Sequence, residues 1–383
     1  MNTANPIVIS IWVALVPTST ALLSAQSVVD SEDTLAVGVV EMINRHEFQA
    51  AERNIYSQLH RDSTSLKWLF LMGMRYYSDI SLLPGQANDA LSHMKFWMEK
   101  VTNLGDARIE QDEADLEALF YTGGAYGYLG IAYASDGSLL KGVSTSAKGF
   151  GMHEDLTELC PECYDAYLGP GLENFVASAV PWILKPILLV LGLTGTEEKA
   201  HAYLLTAYER GILVRLEAGI YLAQLYLRQK EYEKAIRLYS ILVSEYPMRV
   251  GLCVEAMQPF YPTERFAEMI ALAQNTMRMF ESGRFSLSAG DSAWMPAIID
   301  HCANGFEAVG DTAGAIGILE QALQKRQYAS LDKERIYRSL GDLYLQQGDT
   351  LRSLACYEKV LTSNAPEKTK NRTRDKIKGI RGY

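Results

Sequence analysis

The stretch LEAGIYLAQLYLRQKEYEKAIRLYSILVSEYPMR, residues 216–249, decides the fold of this chain. Its apolar residues recur at helical spacing on both sides of a short polar break, and a proline comes near its end. Ala223 and Ala235 are small enough for two antiparallel helices to cross closely, while Tyr226 and Tyr239 fill the space beside them. The stretch therefore predicts a hairpin of two packed helices.

Similar spacing recurs toward the C-terminus, over residues 296–329 and 334–367. In the later copy Gly341 takes the small position, and Tyr344 and Tyr357 take the aromatic ones. Repetition at a fixed period of this length is typical of proteins built from stacked helical hairpins.

The regions outside these copies fit the same plan. Helices are predicted over 46–59, 65–77 and 264–280, and loops over 81–89 and 285–294. Strand patterns bounded by hairpin turns are missing from the sequence, so almost no sheet is expected.

These repeats resemble the tetratricopeptide-repeat family, whose signature places small residues and aromatics at these offsets. The resemblance implies an all-α fold, a helix-turn-helix repeat solenoid over residues 26–363, with the best repeats at 216–249, 296–329 and 334–367. A block from Leu116 to Pro247 also resembles a subgroup of exported bacterial members of unassigned function. That subgroup is in turn similar to a eukaryotic branch linked to the clearance of protein inclusions.

In this family the first helices of successive repeats line a concave groove that binds segments of partner proteins. The resemblance therefore implies a groove lined by Glu217, Ile220, Gln224, Leu227, Arg228, Asp300, Asn304, Glu307, Arg335, Arg338 and Asp342. Their mixed charges predict a polar peptide ligand, with Ile220 and Leu227 giving apolar contact. We expect Arg228, Arg335 and Arg338 to anchor a carboxylate of the partner.

Composition limits the partners and the compartment. The 383 residues are 48% hydrophobic and carry a net charge of -10, which is typical of a globular protein and argues against nucleic acid as the main partner. Residues 1–25 carry an apolar run from Ile7 to Val16 followed by small residues, the pattern of a secretory signal peptide. The alternative is a buried first helix. The signal peptide predicts an exported protein, periplasmic or otherwise associated with the envelope, or secreted.

Two motifs have chemical as well as structural interpretations. Glycines 123, 124, 127 and 130 could cradle a phosphate, but no Lys-Ser/Thr ending follows them and aromatics alternate with them, so close helix packing is favoured. Cys160 and Cys163 form a C-x-x-C motif, with His153 as a conceivable third metal ligand. A turn at a helix end, which a local disulfide could close, is favoured over metal or redox chemistry.

Two further segments leave a second function open. Residues 180–193 are apolar but too short to span a bilayer of ~30 Å, so they predict either a buried helix kinked by Pro186 or an exposed docking face. Residues 364–383 are strongly basic. They predict either a tail that binds anionic lipid or a capping helix. Together they support the alternative of a lipid- or outer-membrane-associated assembly factor.

Catalytic patterns are missing from the sequence, because the six histidines are scattered and none lies in a known metal or nucleophile motif. We therefore predict no enzyme activity, no cofactor and no metal site. The leading hypothesis is a scaffold that binds a protein or peptide partner.

Overall fold

The computed structural model describes residues 31–78, 80, 89–181, 183, 189, 193–283, 289–328 and 331–382. The predicted signal peptide lies outside the described residues, as do most of the segments 81–89 and 180–193. Within the described residues the chain is helical and contains no strand. The structure confirms the predicted all-α fold of helix-turn-helix repeats.

The described residues contain seventeen α-helices. The first ten are α1 (Ser31–Asn44), α2 (Phe48–Leu59), α3 (Leu66–Tyr77), α4 (Asp89–Ile109), α5 (Leu116–Ser135), α6 (Leu139–Leu159), α7 (Leu168–Ala179), α8 (Glu197–Arg210), α9 (Arg215–Arg228) and α10 (Tyr232–Glu245). The remainder are α11 (Val250–Met257), α12 (Phe266–Glu281), α13 (Ala289–Ala308), α14 (Thr312–Gln324), α15 (Glu334–Gln346), α16 (Thr350–Thr362) and α17 (Glu367–Arg381). Short 3-10 helices occupy Tyr164–Tyr167, Gln258–Phe260 and Arg326–Tyr328.

The helices pack as consecutive pairs within two compact units, one ending at Leu238 and the other beginning at Tyr239. In the first unit, helices α1, α3 and α5 contact one another in succession, and α7 contacts α9. In the second unit, α11 contacts α13 and α13 contacts α15. Contacts between successive first helices are what a stack of helical hairpins requires.

One turn geometry joins the two helices of most pairs. Three residues separate the helices, and the middle one has a positive φ between 60° and 84°. These middle residues are His46, Gly137, Lys230, Gly310 and Gly348. In each turn the next backbone N–H donates to the carbonyl five residues earlier at 2.8 Å, as from Asp349 to Tyr344. This is the Schellman end of a helix, and it reverses the chain the same way each time.

The small and aromatic positions of the repeats lie where the sequence predicts. Ala223 and Ala235 are fully buried. In the last pair, a Cβ added at Gly341 would lie 2.6 Å from Cε1 of the Tyr357 ring, and the Ser353 hydroxyl donates to the Gly341 carbonyl at 2.8 Å. A small residue is therefore required at position 341 for α15 and α16 to cross.

Helix α13 begins earlier than the sequence predicts. Residues 289–294 belong to the predicted loop, but they form its first turns, and Pro296 lies inside the helix. Proline removes one helical hydrogen bond. Burial of Met295, Ala297 and Ile298 beside it, together with the packing of α13 on α11, offsets that loss.

The basic C-terminal segment forms helix α17, which packs on α16 and buries Thr373 and Ile377. Three of its cations form ion pairs: Arg374 with Glu367, Lys376 with Asp342, and Arg381 with Glu358. The segment thus closes the second unit with one buried face and one polar face.

Candidate functional site

The predicted groove residues fall on three helices in the two units. Five lie on α9 in the first unit, and six lie on α13 and α15 in the second.

On α9 the predicted positions are half-buried apart from Glu217, which is 8% exposed. Arg228 is used inside the unit. Its guanidinium lies 2.8 Å from the Glu197 carboxylate, donates to the Phe175 carbonyl at 3.0 Å and lies over the Phe175 ring. Burial lowers its pKa, and the ion pair with Glu197 opposes this. Arg228 therefore holds α9 against α7 and α8, and its role as an anchor for a partner's carboxylate stays a prediction.

In the second unit Asp300 and Arg335 form an ion pair, and Asn304 forms a separate hydrogen bond. The Arg335 guanidinium lies 3.4 Å from the Asp300 carboxylate, which also accepts from the Ser339 hydroxyl. Asn304 donates to the Tyr261 hydroxyl at 3.3 Å. The contacts of Asp300 link α13 and α15 at positions where the repeat pattern predicts a shared face.

The buried His301 ring contacts the same Tyr261 hydroxyl as Asn304. Its Nδ1 lies 2.6 Å from the Tyr261 hydroxyl. Burial lowers the pKa of His301, an effect that Asp300 opposes and Arg335 strengthens. The ring is therefore neutral at physiological pH and serves as a hydrogen-bonding group.

The other three predicted residues of this unit also have partners. Glu307 accepts from the Gln346 amide at 2.9 Å, and Arg338 lies 3.2 Å from Glu334 one helical turn before it. Asp342 accepts from the Tyr357 hydroxyl and from Lys376. Asp342 thereby connects α15 to the closing helix α17.

A groove of about 600 Å³ lies between α13, α15 and α17 in the second unit. Two of the predicted residues, Arg335 and Arg338, line it. The full lining is Ala293, Trp294, Pro296, Ala297, Asp332, Glu334, Arg335, Arg338, Asn364, Pro366, Thr369, Arg372, Thr373 and Lys376. The α13 side is apolar and the α15 and α17 sides are polar, so the groove has one wall of each character.

Trp294 is the large exposed side chain of the apolar wall, with 37% of its surface accessible. Its indole lies against Gly251 of α11, because a Cβ added at that glycine would be 3.4 Å from the indole nitrogen. A partly exposed tryptophan held in place by its neighbours is the kind of side chain that dominates binding energy at interfaces.

Of the fourteen residues that line the groove, the sequence predicts two, Arg335 and Arg338. The sequence predicts a loop that includes Trp294, and a tail or capping helix that includes Arg372 and Lys376. The basic composition of the tail was a signal, but the sequence does not show which cations face α13 and α15.

The glycine cluster of α5 packs helices, as predicted. A Cβ added at Gly149 of α6 would lie 2.3 Å from the Gly123 carbonyl oxygen, and one added at Gly142 would lie 2.7 Å from that of Gly130. The backbones of α5 and α6 are therefore in direct contact, which leaves no space for a phosphate between them.

The C-x-x-C motif forms a disulfide between Cys160 and Cys163 in the turn that follows α6. His153 lies elsewhere: its Nε2 is 2.9 Å from the Phe120 carbonyl, and burial lowers its pKa to about 4. Within the described residues no group of three or more His, Cys, Asp or Glu side chains could hold a metal ion.

Close to this disulfide, the buried Asp165 carboxylate accepts three backbone N–H groups at the start of α9. Its Oδ1 lies 2.9 Å from the nitrogens of Ile212 and Leu213, and 3.1 Å from that of Val214. Burial raises the pKa of Asp165 to about 7, and these hydrogen bonds oppose the rise. The group ties the turn after α6 to a helix of the next repeat.

Comparisons with known proteins relate the chain to solved helical-repeat structures. No family model matches the sequence, and no curated protein matches it. Yeast Tom70 is similar with a TM-score of 0.43 and 12% identity over 92% of this chain and 82% of the other. The Cut9 and Hcn1 complex of APC/C matches with a TM-score of 0.42 and 12% identity, over 90% of this chain and 63% of the other.

The P58(IPK) TPR domain matches with a TM-score of 0.27 and 12% identity, over 91% of this chain and 98% of the other. The described residues form successive helix-turn-helix pairs, which is the architecture that the sequence predicts. Likeness at this level carries no argument about what the chain binds.

Proposed function

We propose that this protein is a non-catalytic scaffold that binds a segment of a partner protein in the groove of its second unit. The observation that carries the proposal is the groove between α13, α15 and α17, which combines the exposed Trp294 with four cationic side chains. Anchoring aromatic and arginine side chains are enriched where proteins bind one another.

The groove is suited to an extended or helical segment. Its volume of about 600 Å³ is enough for several side chains, and its walls come from helices with buried inner faces. Because Arg335 and Arg338 are braced by Asp300 and Glu334, little side-chain entropy would be lost when they meet a ligand.

We also propose that the protein acts outside the cytoplasm, in the periplasm or elsewhere in the envelope. The signal-peptide pattern of residues 1–25 is the basis for this. The Cys160–Cys163 disulfide supports it, because disulfides persist in oxidising compartments.

The alternative of a lipid-associated assembly factor remains a prediction of the sequence. The described part of the chain contains no helix long and apolar enough to cross a membrane. Sedimentation with anionic liposomes tests the alternative: binding that persists when the groove residues are substituted would favour it.

The experiment for the scaffold is affinity purification of partners from an extract of the source cells, identified by mass spectrometry. Wild-type chain is compared with the double variant Trp294→Ala, Arg335→Ala and with a control, Lys368→Ala, whose exposed side chain does not line the groove. We expect at least one protein to be recovered by wild type and control but lost from the double variant. Identical recovery by all three chains would contradict the proposal.

A further inference from the structure

The charged side chains that line the groove differ in whether they form ion pairs. Its lining has four cations, Arg335, Arg338, Arg372 and Lys376, and two acids, Asp332 and Glu334. Of these two acids, only Glu334 pairs with a cation among the described residues. The Asp332 carboxylate accepts the Glu334 backbone N–H at 3.0 Å, and the Glu334 carboxylate lies 3.2 Å from Arg338.

Three of the four cations also have partners. Arg335 lies 3.4 Å from Asp300, Arg338 pairs with Glu334, and Lys376 pairs with Asp342. Arg372 differs, because it is exposed and makes no ion pair with any described residue. It stands on α17, the closing helix, directly before the buried Thr373 that fixes this turn of the helix to the unit.

We propose that the partner segment bound in this groove is acidic, and that Arg372 of the closing helix is the main cation that receives its carboxylate. This inference rests on the proposed function, because it names the partner of the same groove. The site differs from the anchors predicted from the sequence, Arg228, Arg335 and Arg338, because the free guanidinium comes from outside the helix-turn-helix pairs.

Arg372 carries a charge that pairs with no described carboxylate, and it lies in a partly enclosed groove. A guanidinium presents two parallel N–H donors that match a carboxylate, and such a pair strengthens where water is displaced. Arg335 and Lys376 are 43% and 44% exposed and lie in the same lining, so each can also donate to a bound carboxylate while it keeps its own partner. A basic partner would place its charge beside Arg372, which has no carboxylate among the described residues to offset the repulsion.

The apolar wall defines the second property of the partner. Trp294 with Ala293 and Ala297 offers a surface for an aliphatic or aromatic side chain. We therefore expect a segment that carries carboxylates and at least one large apolar residue. A uniformly charged segment would leave the Trp294 indole uncovered.

The test is a selection of random dodecapeptides displayed on phage against the immobilised full chain. Enriched peptides are synthesised, and their dissociation constants are measured by fluorescence anisotropy. They are measured against wild type, Arg372→Gln, Trp294→Ala and the control Lys378→Gln. Lys378 is an exposed cation on the same helix that does not line the groove, so its variant has the same net charge as Arg372→Gln.

We expect the enriched peptides to carry net negative charge and an apolar residue. Arg372→Gln should weaken their binding about tenfold, since one charge-assisted pair is lost, while Lys378→Gln should change it less than twofold. Replacing glutamate by glutamine in a selected peptide should weaken binding to wild type and have little further effect in Arg372→Gln.

Two results would overturn the inference: enriched peptides without net negative charge, or unchanged affinity for Arg372→Gln. If neutral peptides are selected and Trp294→Ala weakens their binding, the groove still binds a partner. That result excludes only the acidic character of the partner. If no selected peptide responds to either groove substitution, the proposed function fails as well. Circular dichroism of each variant confirms that the chain remains folded.

Discussion

The helix pairs α5–α6 and α15–α16 are hairpins of the same kind, but their first helices have different roles. In α5–α6 the backbones touch through glycines on both helices, and α5 is buried along most of its length. In α15–α16 one glycine receives one tyrosine ring, and the first helix keeps Arg335 and Arg338 at the surface of a groove. Tight packing places α5, the first helix of its pair, in the core. Looser packing leaves α15, the first helix of its pair, available for binding.

The largest expected effect is at the glycine contact of α5–α6. A Cβ in Gly149→Ala would lie 2.3 Å from the Gly123 carbonyl oxygen, and a backbone atom in a packed helix pair cannot move aside. We expect a loss of about 3 kcal/mol in the free energy of unfolding. Urea unfolding followed by circular dichroism measures it.

The matched control is Gly151→Ala on the same helix, where an added Cβ meets nothing within 4 Å. This substitution should stabilise the helix by roughly 0.5–1 kcal/mol, because alanine has the higher helix propensity. Equal effects of the two substitutions would show that α5 and α6 are not in backbone contact.

The second effect is a dependence of stability on pH in the same region. Burial lowers the pKa of His153 to about 4 in the folded chain, against 6.5 for an ordinary histidine. The unfolded chain therefore binds a proton that the folded chain does not, and stability is lost as the pH falls from about 6.5 to 4, by roughly 3 kcal/mol.

His153→Gln isolates this effect from other groups. Asp165 acts in the opposite direction, because its raised pKa makes stability decline as the pH rises toward about 7. Urea unfolding of both chains at pH 6.5 and 4.5 should show that the advantage of wild type shrinks in acid. A constant difference would contradict a neutral, buried His153.

The third effect is at the single glycine of α15–α16. In Gly341→Ala the new Cβ meets the Tyr357 ring at 2.6 Å, and a side chain can shift where a backbone cannot. We expect a loss of about 1–2 kcal/mol by the same urea assay. A loss as large as that of Gly149→Ala would remove the distinction between the two pairs.

The smallest effect concerns what the two pairs share. Gly137 and Gly348 occupy the middle of equivalent turns, with φ of 84° and 77°. Alanine at either position should cost about 1 kcal/mol, because a residue with a Cβ is strained in the left-handed region. The two losses should be equal in urea unfolding, and a clear inequality would show that the turns do not have the same role.

The hairpin plan was predictable because it depends on local spacing. Ala223, Gly341 and Tyr357 lie at offsets that two adjacent helices impose, and the structure places them in the crossings. The start of α13 lies in the predicted loop 285–294, because residues outside the repeat spacing give no local helical signal and the helix there depends on packing against distant residues.

The site was less predictable because it depends on contacts between distant residues. Arg228 is held by Glu197 and Phe175, which lie 31 and 53 residues before it in repeats that depart from the family pattern. Arg372 belongs to a basic segment whose orientation is set by the burial of Thr373 and Ile377. Residue type alone does not show that Arg228 pairs with Glu197, or that Arg372 forms no ion pair with a described residue.

The central claim is that the groove of the second unit receives a partner. The most direct measurement is site-specific photo-crosslinking in the source cells, with a benzophenone amino acid placed at Asn364, which is exposed and lines the groove. The comparison position is Lys368, which is exposed on α17 outside the lining. The account predicts a discrete adduct from position 364 that is absent from 368 and is lost when Arg372→Gln is added. Equal labelling from both positions, or no adduct from 364, would contradict it.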